Sequence, residues 1–267
     1  MTTLSIDALT LGVPDVGAAK AFYTTGFALP VLADHEQFVS LGLGPHAGTL
    51  GLYAVDALAA DAQTAADGTG FRGYTISYLV EQPAAVDLIL DRATTAGAQV
   101  IKPAKKSMWG GYSAVVQAPD GALWKLATPQ KKGEPVADIP EPTDVAVLIG
   151  VADVKRSKAF YEAVGMTVGK SFGGKYVDFA SADGADTLAL YRREALAEDA
   201  GVPPAGEGFQ AMVLYRIAET PAQVDGILEA GAAHGGEVAV KPKRAEPGGY
   251  AGHLADPDGF LWKVACG

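Results

Sequence analysis

The stretch GGYAGHLADPDGFLWKVA (residues 248–265) repeats GGYSAVVQAPDGALWKLA (residues 110–127), and 248 − 110 sets the spacing at 138 residues. The same spacing carries Asp15 to Asp153 and Phe22-Tyr23 to Phe160-Tyr161. It also carries TLGLYAVDALAADA (49–62) to TLALYRREALAEDA (187–200). Solenoid units recur every roughly 20–50 residues, so a period this long marks a duplicated domain. Every residue can then be weighed against its counterpart in the other copy.

Working outward from the opening stretch, GGYSAVVQA and ALWKLA alternate as strands do, and PDG between them supplies a tight turn. Upstream, GYTISYLVE (73–81) reads as a strand and PAAVDLILDRATTAG (83–97) as a helix, with Pro at its start and Gly97 at its end. AQVIKPA completes a βαβββ unit. The first half of the copy has the same order: strand IDALTLGVPD (6–15), a helix capped by Asp15 through VGAAKAFYTTG, then strands near 30–34, 37–43 and 48–55. An Ala-rich connection (56–69) reads as a loop or short helix. The chain is thus predicted to be α+β, a tandem duplication of paired βαβββ modules, four in all. Each pair forms a curved sheet around a cup with helices outside. The Pro- and charge-rich segment TPQKKGEPVADIPEPTD (128–144) carries the linker, giving domains at 1–128 and 143–267 joined through 129–142.

A chain of 267 residues with 49% hydrophobic side chains can bury two cores without staples. The single cysteine, Cys266, excludes a disulfide framework and fits a reducing compartment. MTTLSIDALTLGVPD has no secretory signature, and no run approaches the roughly 18 apolar residues of a bilayer span. A net charge of −10 and a pI near 4.8 oppose nucleic-acid binding. These features predict a cytoplasmic protein without nucleic-acid or membrane partners. It is a monomer or a homodimer, since duplication can replace an interface between single copies.

FY in the first helix and DPDG-x-LW before the last strand resemble the vicinal oxygen chelate superfamily, which includes glyoxalase I, bleomycin-resistance proteins and extradiol dioxygenases. The resemblance covers nearly the whole chain, and GGYAGHLADPDGFLWKVA is its most specific part. It implies that two modules pair around a cup, commonly with a divalent metal held by His, Gln or Glu from the first and last strands of the modules. The chain departs from that pattern in both copies. The ligand positions fall near Ala8 and Ala146, Gly51 and Ala189, and Thr75 and Val213, and the closing glutamate is replaced by Lys125 and Lys263. An ammonium repels a cation that needs several converging N or O donors. No metal and no other cofactor is therefore expected.

Candidate ligand contacts follow from the same alignment. Lys125 and Lys263 face the cup in the resembled family, which places Trp124 and Trp262 against the helices. A lysine there would hold an anion, or act as a base or Schiff-base amine if desolvation lowered its pKa, or else snorkel to the rim or pair with a carboxylate. Tyr53 and Tyr191 share the parity of a ligand position two residues earlier. Trp109, Tyr112 and Tyr250 lie where a loop would enter the cup, and His253 sits on a strand of copy two where copy one has Val115. Lys105-Lys106 and Lys243-Arg244 form a basic rim, while His35, His46 and His234 read as surface residues. No nucleophile elbow, Walker loop or dinucleotide glycine pattern is present. The expected function is metal-independent binding of a small apolar or aromatic molecule, as in bleomycin-type sequestration. The alternatives are a glyoxalase-like lyase or isomerase or an extradiol-dioxygenase-like enzyme, with or without metal, and an inert scaffold. Small residues at the ligand positions weigh against the scaffold, because they would open a cavity.

Overall fold

The computed structural model describes residues 5–106, 111–181, 185–245 and 249–267. Copy one contains β1 (Ala8–Val13), α1 (Val16–Gly26), β2 (Val31–His35), β3 (Phe38–Gly42), β4 (Thr49–Ala54), α2 (Val55–Asp61) and β5 (Gly68–Gly70). It continues through β6 (Tyr74–Leu79), α3 (Pro83–Thr95), β7 (Gln99–Lys106), β8 (Tyr112–Gln117) and β9 (Leu123–Thr128). Copy two repeats the order with β10 (Asp144–Val151), α4 (Val154–Ala163), β11 (Val168–Ser171), β12 (Tyr176–Phe179), β13 (Thr187–Arg192), α5 (Arg193–Ala200) and β14 (Gly206–Gly208). It ends with β15 (Met212–Ile217), α6 (Pro221–Ala233), β16 (Glu237–Ala245), β17 (Gly249–Ala255) and β18 (Leu261–Cys266). Residues 129–142 carry neither helix nor strand.

Local signals set these elements. The Asp15 carboxylate accepts from the Ala18 amide at the start of α1, and Asp153 accepts from Lys155 and Arg156 at the start of α4. Pro83 and Pro221 open α3 and α6, where a missing N–H costs nothing.

The modules pair across the two copies, not within one. One sheet runs β16-β17-β18-β15-β1-β4-β3-β2, so it joins the first module of copy one to the second module of copy two. The other runs β11-β12-β13-β10-β6-β9-β8-β7 and joins the remaining two. At the seams Thr10 lies opposite Val213 and Leu148 opposite Thr75, both antiparallel. Within a copy, the modules instead meet through their helices, α1 against α3 and α4 against α6.

The repeated FY, PDG and LW residues form the clamp for that contact. The Tyr23 hydroxyl donates to Asp120 Oδ2 at 2.7 Å, and Trp124 Nε1 donates to the Tyr23 oxygen at 3.1 Å. Copy two repeats the chain of bonds with Tyr161, Asp256 and Trp262 at 2.7 and 3.3 Å. The carboxylates are not equivalent by position. Copy one has Ala118 where copy two has Asp256, so the aspartate two residues later takes the role. Asp258, the counterpart of Asp120, instead accepts from Ser157 and Arg156.

A third, two-stranded sheet pairs β5 with β14, with Thr69 opposite Glu207. These residues are 207 − 69 = 138 positions apart, so each copy pairs with its own counterpart. Glycines flank both because the backbones nearly touch: a Cβ on Gly68 or Gly208 would strike the carbonyl of Phe209 or Asp67.

Candidate functional site

Strand parity decides what each cup displays. Leu9, Leu11, Leu50, Leu52, Met212, Leu214, Trp262 and Val264 belong to the central core on the helix side of the first sheet. Their alternating neighbours Ala8, Thr10, Gly51, Val213 and Lys263 therefore face its cup. In the second sheet Ile76, Val147, Leu188, Leu190, Trp124 and Leu126 are core residues, and Thr75, Ala146, Ala189 and Lys125 face the cup. The lysines and tryptophans thus lie on the sides expected from the sequence.

The space made by the small residues is already filled. Helix α2 packs on β1 and β4, and α5 packs on β10, β13 and β6. Leu58, Ala59 and Ala62 join Val213 and Leu261 in one apolar cluster, and Leu196, Ala197 and Ala200 join Ala146, Leu148 and Ala189 in another. A Cβ on Gly12 would lie 3.1 Å from Val55 Cγ2, and one on Gly150 only 2.9 Å from Arg193 Cα. The expectation that small residues would open a cavity is corrected here. They admit a helix to the cup floor.

Each helix is latched by an ion pair between the copies. Lys125 Nζ donates to Asp199 Oδ2 at 2.6 Å, and Lys263 Nζ donates to Asp61 Oδ2 at 2.6 Å. The aspartates come from the repeated ALAADA and ALAEDA strings, a shared acidic position that sequence reading passed over as connection. Around the latches the cups diverge. Facing Asp61 is His253, 4% exposed, with Nε2 3.3 Å from Oδ2, an ionic contact without hydrogen-bond geometry. His253 and Lys263 together hold the Asp61 carboxyl well below the usual carboxylate range. In the other cup Lys102 Nζ donates to the carbonyls of Glu198 and Asp199 at 2.6 and 2.7 Å, countering the negative end of α5. Lys102 lies opposite Val115 in its sheet, and Val240 lies opposite His253 in the other. One basic residue and one valine have exchanged strands.

These donors do not fit a divalent metal. Asp61 and Asp199 are each already paired with an ammonium, and the second cup's Asp178, opposite Ala189, accepts from Tyr176 and the Lys170 amide; among the described residues only the Asp61 latch has an imidazole beside it. Among the described residues no group of three His, Cys, Asp or Glu side chains converges as a metal site would require.

Beside α5, the second cup keeps a cavity of about 580 Å³. Lys102, Lys105, Lys125, Ser113, Val115 and Asp199 are among its lining residues. Tyr112 borders it, yet its hydroxyl donates to Asp87 on α3, on the helix side of the sheet. Tyr250 likewise bonds Asp225 on α6, so both tyrosine hydroxyls point away from the cups. Tyr53 and Tyr191 face the cups but pack against the plugging helices, Tyr53 beside Phe38 and Tyr191 beside Tyr176. Burial pushes the Tyr191 hydroxyl up to about 12. Trp109 lies outside the described residues.

The family model described as Glyoxalase/Bleomycin resistance protein/Dioxygenase superfamily matches residues 5–126 and 145–264. A glyoxalase I mutant from Zea mays superposes with a TM-score of 0.68 at 20% identity, over 98% of this chain and 92% of that one. Glyoxalase I from the same plant gives 0.64 at 19% identity, over 98% and 92%. A Bacillus subtilis protein with a provisional dioxygenase assignment gives 0.64 at 15%, over 99% and 86%. At these identities the likeness is one of fold. No curated protein sequence matches the chain. The two family matches together span most of its length, and the chain belongs to the glyoxalase/bleomycin resistance protein/dioxygenase superfamily.

Proposed function

We propose that this chain binds a small molecule with an apolar or aromatic body, without a metal, in the cavity bordered by Lys125 and α5. The observation that carries this reading is the latch. At the position where the resembled family places a glutamate ligand, each copy has a lysine bonded to an aspartate of the other copy at 2.6 Å. That geometry neutralises the carboxylate a metal would need, and about 580 Å³ of space remains beside one latch. Pockets of roughly 300–1,000 Å³ suit small organic ligands. Metal analysis of the purified protein, together with calorimetric titration against aromatic compounds, tests the proposal. Substoichiometric metal and saturable binding are expected; a tightly held stoichiometric Fe, Mn, Zn or Ni would overturn it.

One observation favours an enzyme instead. His253 is buried with neither ring nitrogen hydrogen-bonded, beside the Asp61 carboxylate. An imidazole beside a carboxylate has the side-chain types of a general base, and its unpartnered nitrogens leave it able to take a proton. Turnover of a glyoxalase or dioxygenase substrate that is lost in His253→Gln would establish that reading.

A further inference from the structure

We propose that the ligand of the cavity in the second sheet carries an anionic head group, which Lys102, Lys105 and Lys125 hold while the apolar walls take its body. This rests on the binding reading above and names the chemistry of the same site. The chain carries a net charge of −10, yet among the described residues four lysines and one aspartate line this cavity. The aspartate, Asp199, is already bonded to Lys125. Lys105 lies opposite Ser113, and Lys102 opposite Val115, which is itself opposite Lys125. Ser113, Val115 and Lys125 share the cup face by strand parity, so the three ammonium groups are on one side of the sheet. Among the described residues neither Lys105 nor Lys106 has an ion-pair partner. Uncompensated positive charge on the wall of a recess attracts and retains an anion more strongly than the same charge on an open surface. A bare inorganic anion would leave most of the volume unfilled, whereas Leu79, Ala114, Val115 and Ala127 offer an apolar lining to a larger body.

The first sheet lacks this set. It keeps Lys243 and Lys263 at the positions of Lys105 and Lys125 but has Val240 and Ala251 at those of Lys102 and Ser113, so the inference concerns the cup that carries all three lysines.

Two fluorescent probes of nearly the same shape separate the possibilities. 1-Anilinonaphthalene-8-sulfonate carries a sulfonate, and N-phenyl-1-naphthylamine is its neutral counterpart. Titrated into the full chain at low salt, the sulfonate is expected to bind about tenfold more tightly, the equivalent of one good charge contact. Lys105→Gln should remove most of that preference and leave the neutral probe unchanged. Ser113→Trp, which fills the recess, should weaken both. Equal affinities, or a preference that survives Lys105→Gln, would overturn the anionic head group while leaving the binding reading intact. If neither probe saturates, or Ser113→Trp changes neither affinity, the binding reading itself fails and the inference fails with it.

Discussion

At the residue scale, Tyr23 shows how much one hydroxyl can hold. It donates to a buried aspartate of the second module and accepts from a buried tryptophan, so its loss orphans two groups at once. Tyr23→Phe is therefore expected to destabilise the chain by about 2–3 kcal/mol, read from chemical denaturation. The FY, PDG and LW residues were legible in the sequence as a family signature, and the tryptophans as core. Their shared hydrogen bonds were not, because the accepting aspartate shifts by two positions between copies. Asp186 is another residue no motif marked. Its Oδ1 accepts from the Gly48 amide, while Oδ2 is buried without a hydrogen-bond partner. Burial, reinforced by Asp144 and Asp7, pushes it up to about 7 against an unfolded value of 3.8. A carboxyl raised in this way favours the folded state at acid pH. Its contribution falls as pH rises through that interval and is flat above it. Asp186→Asn should remove this dependence. The stability difference between variant and parent is expected to shift by about 2–4 kcal/mol in the variant's favour between pH 4 and 8. A constant difference across that range would contradict the assignment.

At the scale of elements, α2 and α5 define what the cups can do. In sequence the Ala-rich connection has the pattern of a loop or short helix, and nothing in it marks where that helix docks. Short Ala-rich helices have weak amphipathic patterns, and their burial depends on sheets distant in sequence. The lysines were legible as facing the cup, including the possibility of a carboxylate partner, but Asp61 and Asp199 were not identified as those partners. Lys263→Met should cost about 1 kcal/mol, since both partners are partly exposed and their pairing is screened. Lys263→Glu, which restores the family's residue type, should cost more, because it faces the Asp61 carboxylate across the former bond. Thermal unfolding of both variants orders the two effects. A glutamate variant as stable as the methionine variant would show that the latch contributes little.

At the scale of the whole molecule, the interleaved sheets separate two relationships that the repeat merges. Both copies present the same edges and the same alternation, so nothing in the periodicity distinguishes pairing within a copy from pairing between copies. Helix-side packing settles it, since α1 meets α3 and α4 meets α6, leaving β1 and β6 to find partners in the other copy. Residues 1–128 and 143–267 produced as separate chains are expected to copurify as a heterodimer whose melting temperature rises with concentration. Light scattering would show this; two stable, non-associating monomers would be incompatible with the seams.

The small β5–β14 ribbon sits where Thr69 meets its own counterpart, Glu207, and so marks a twofold axis running through a single chain. A homodimer of single copies would carry every substitution twice, on both sides of such an axis. Here the covalent join lets each half vary alone. Lys102 and Val115 on one side, against Val240 and His253 on the other, are an asymmetry that a homodimer of single copies could not hold.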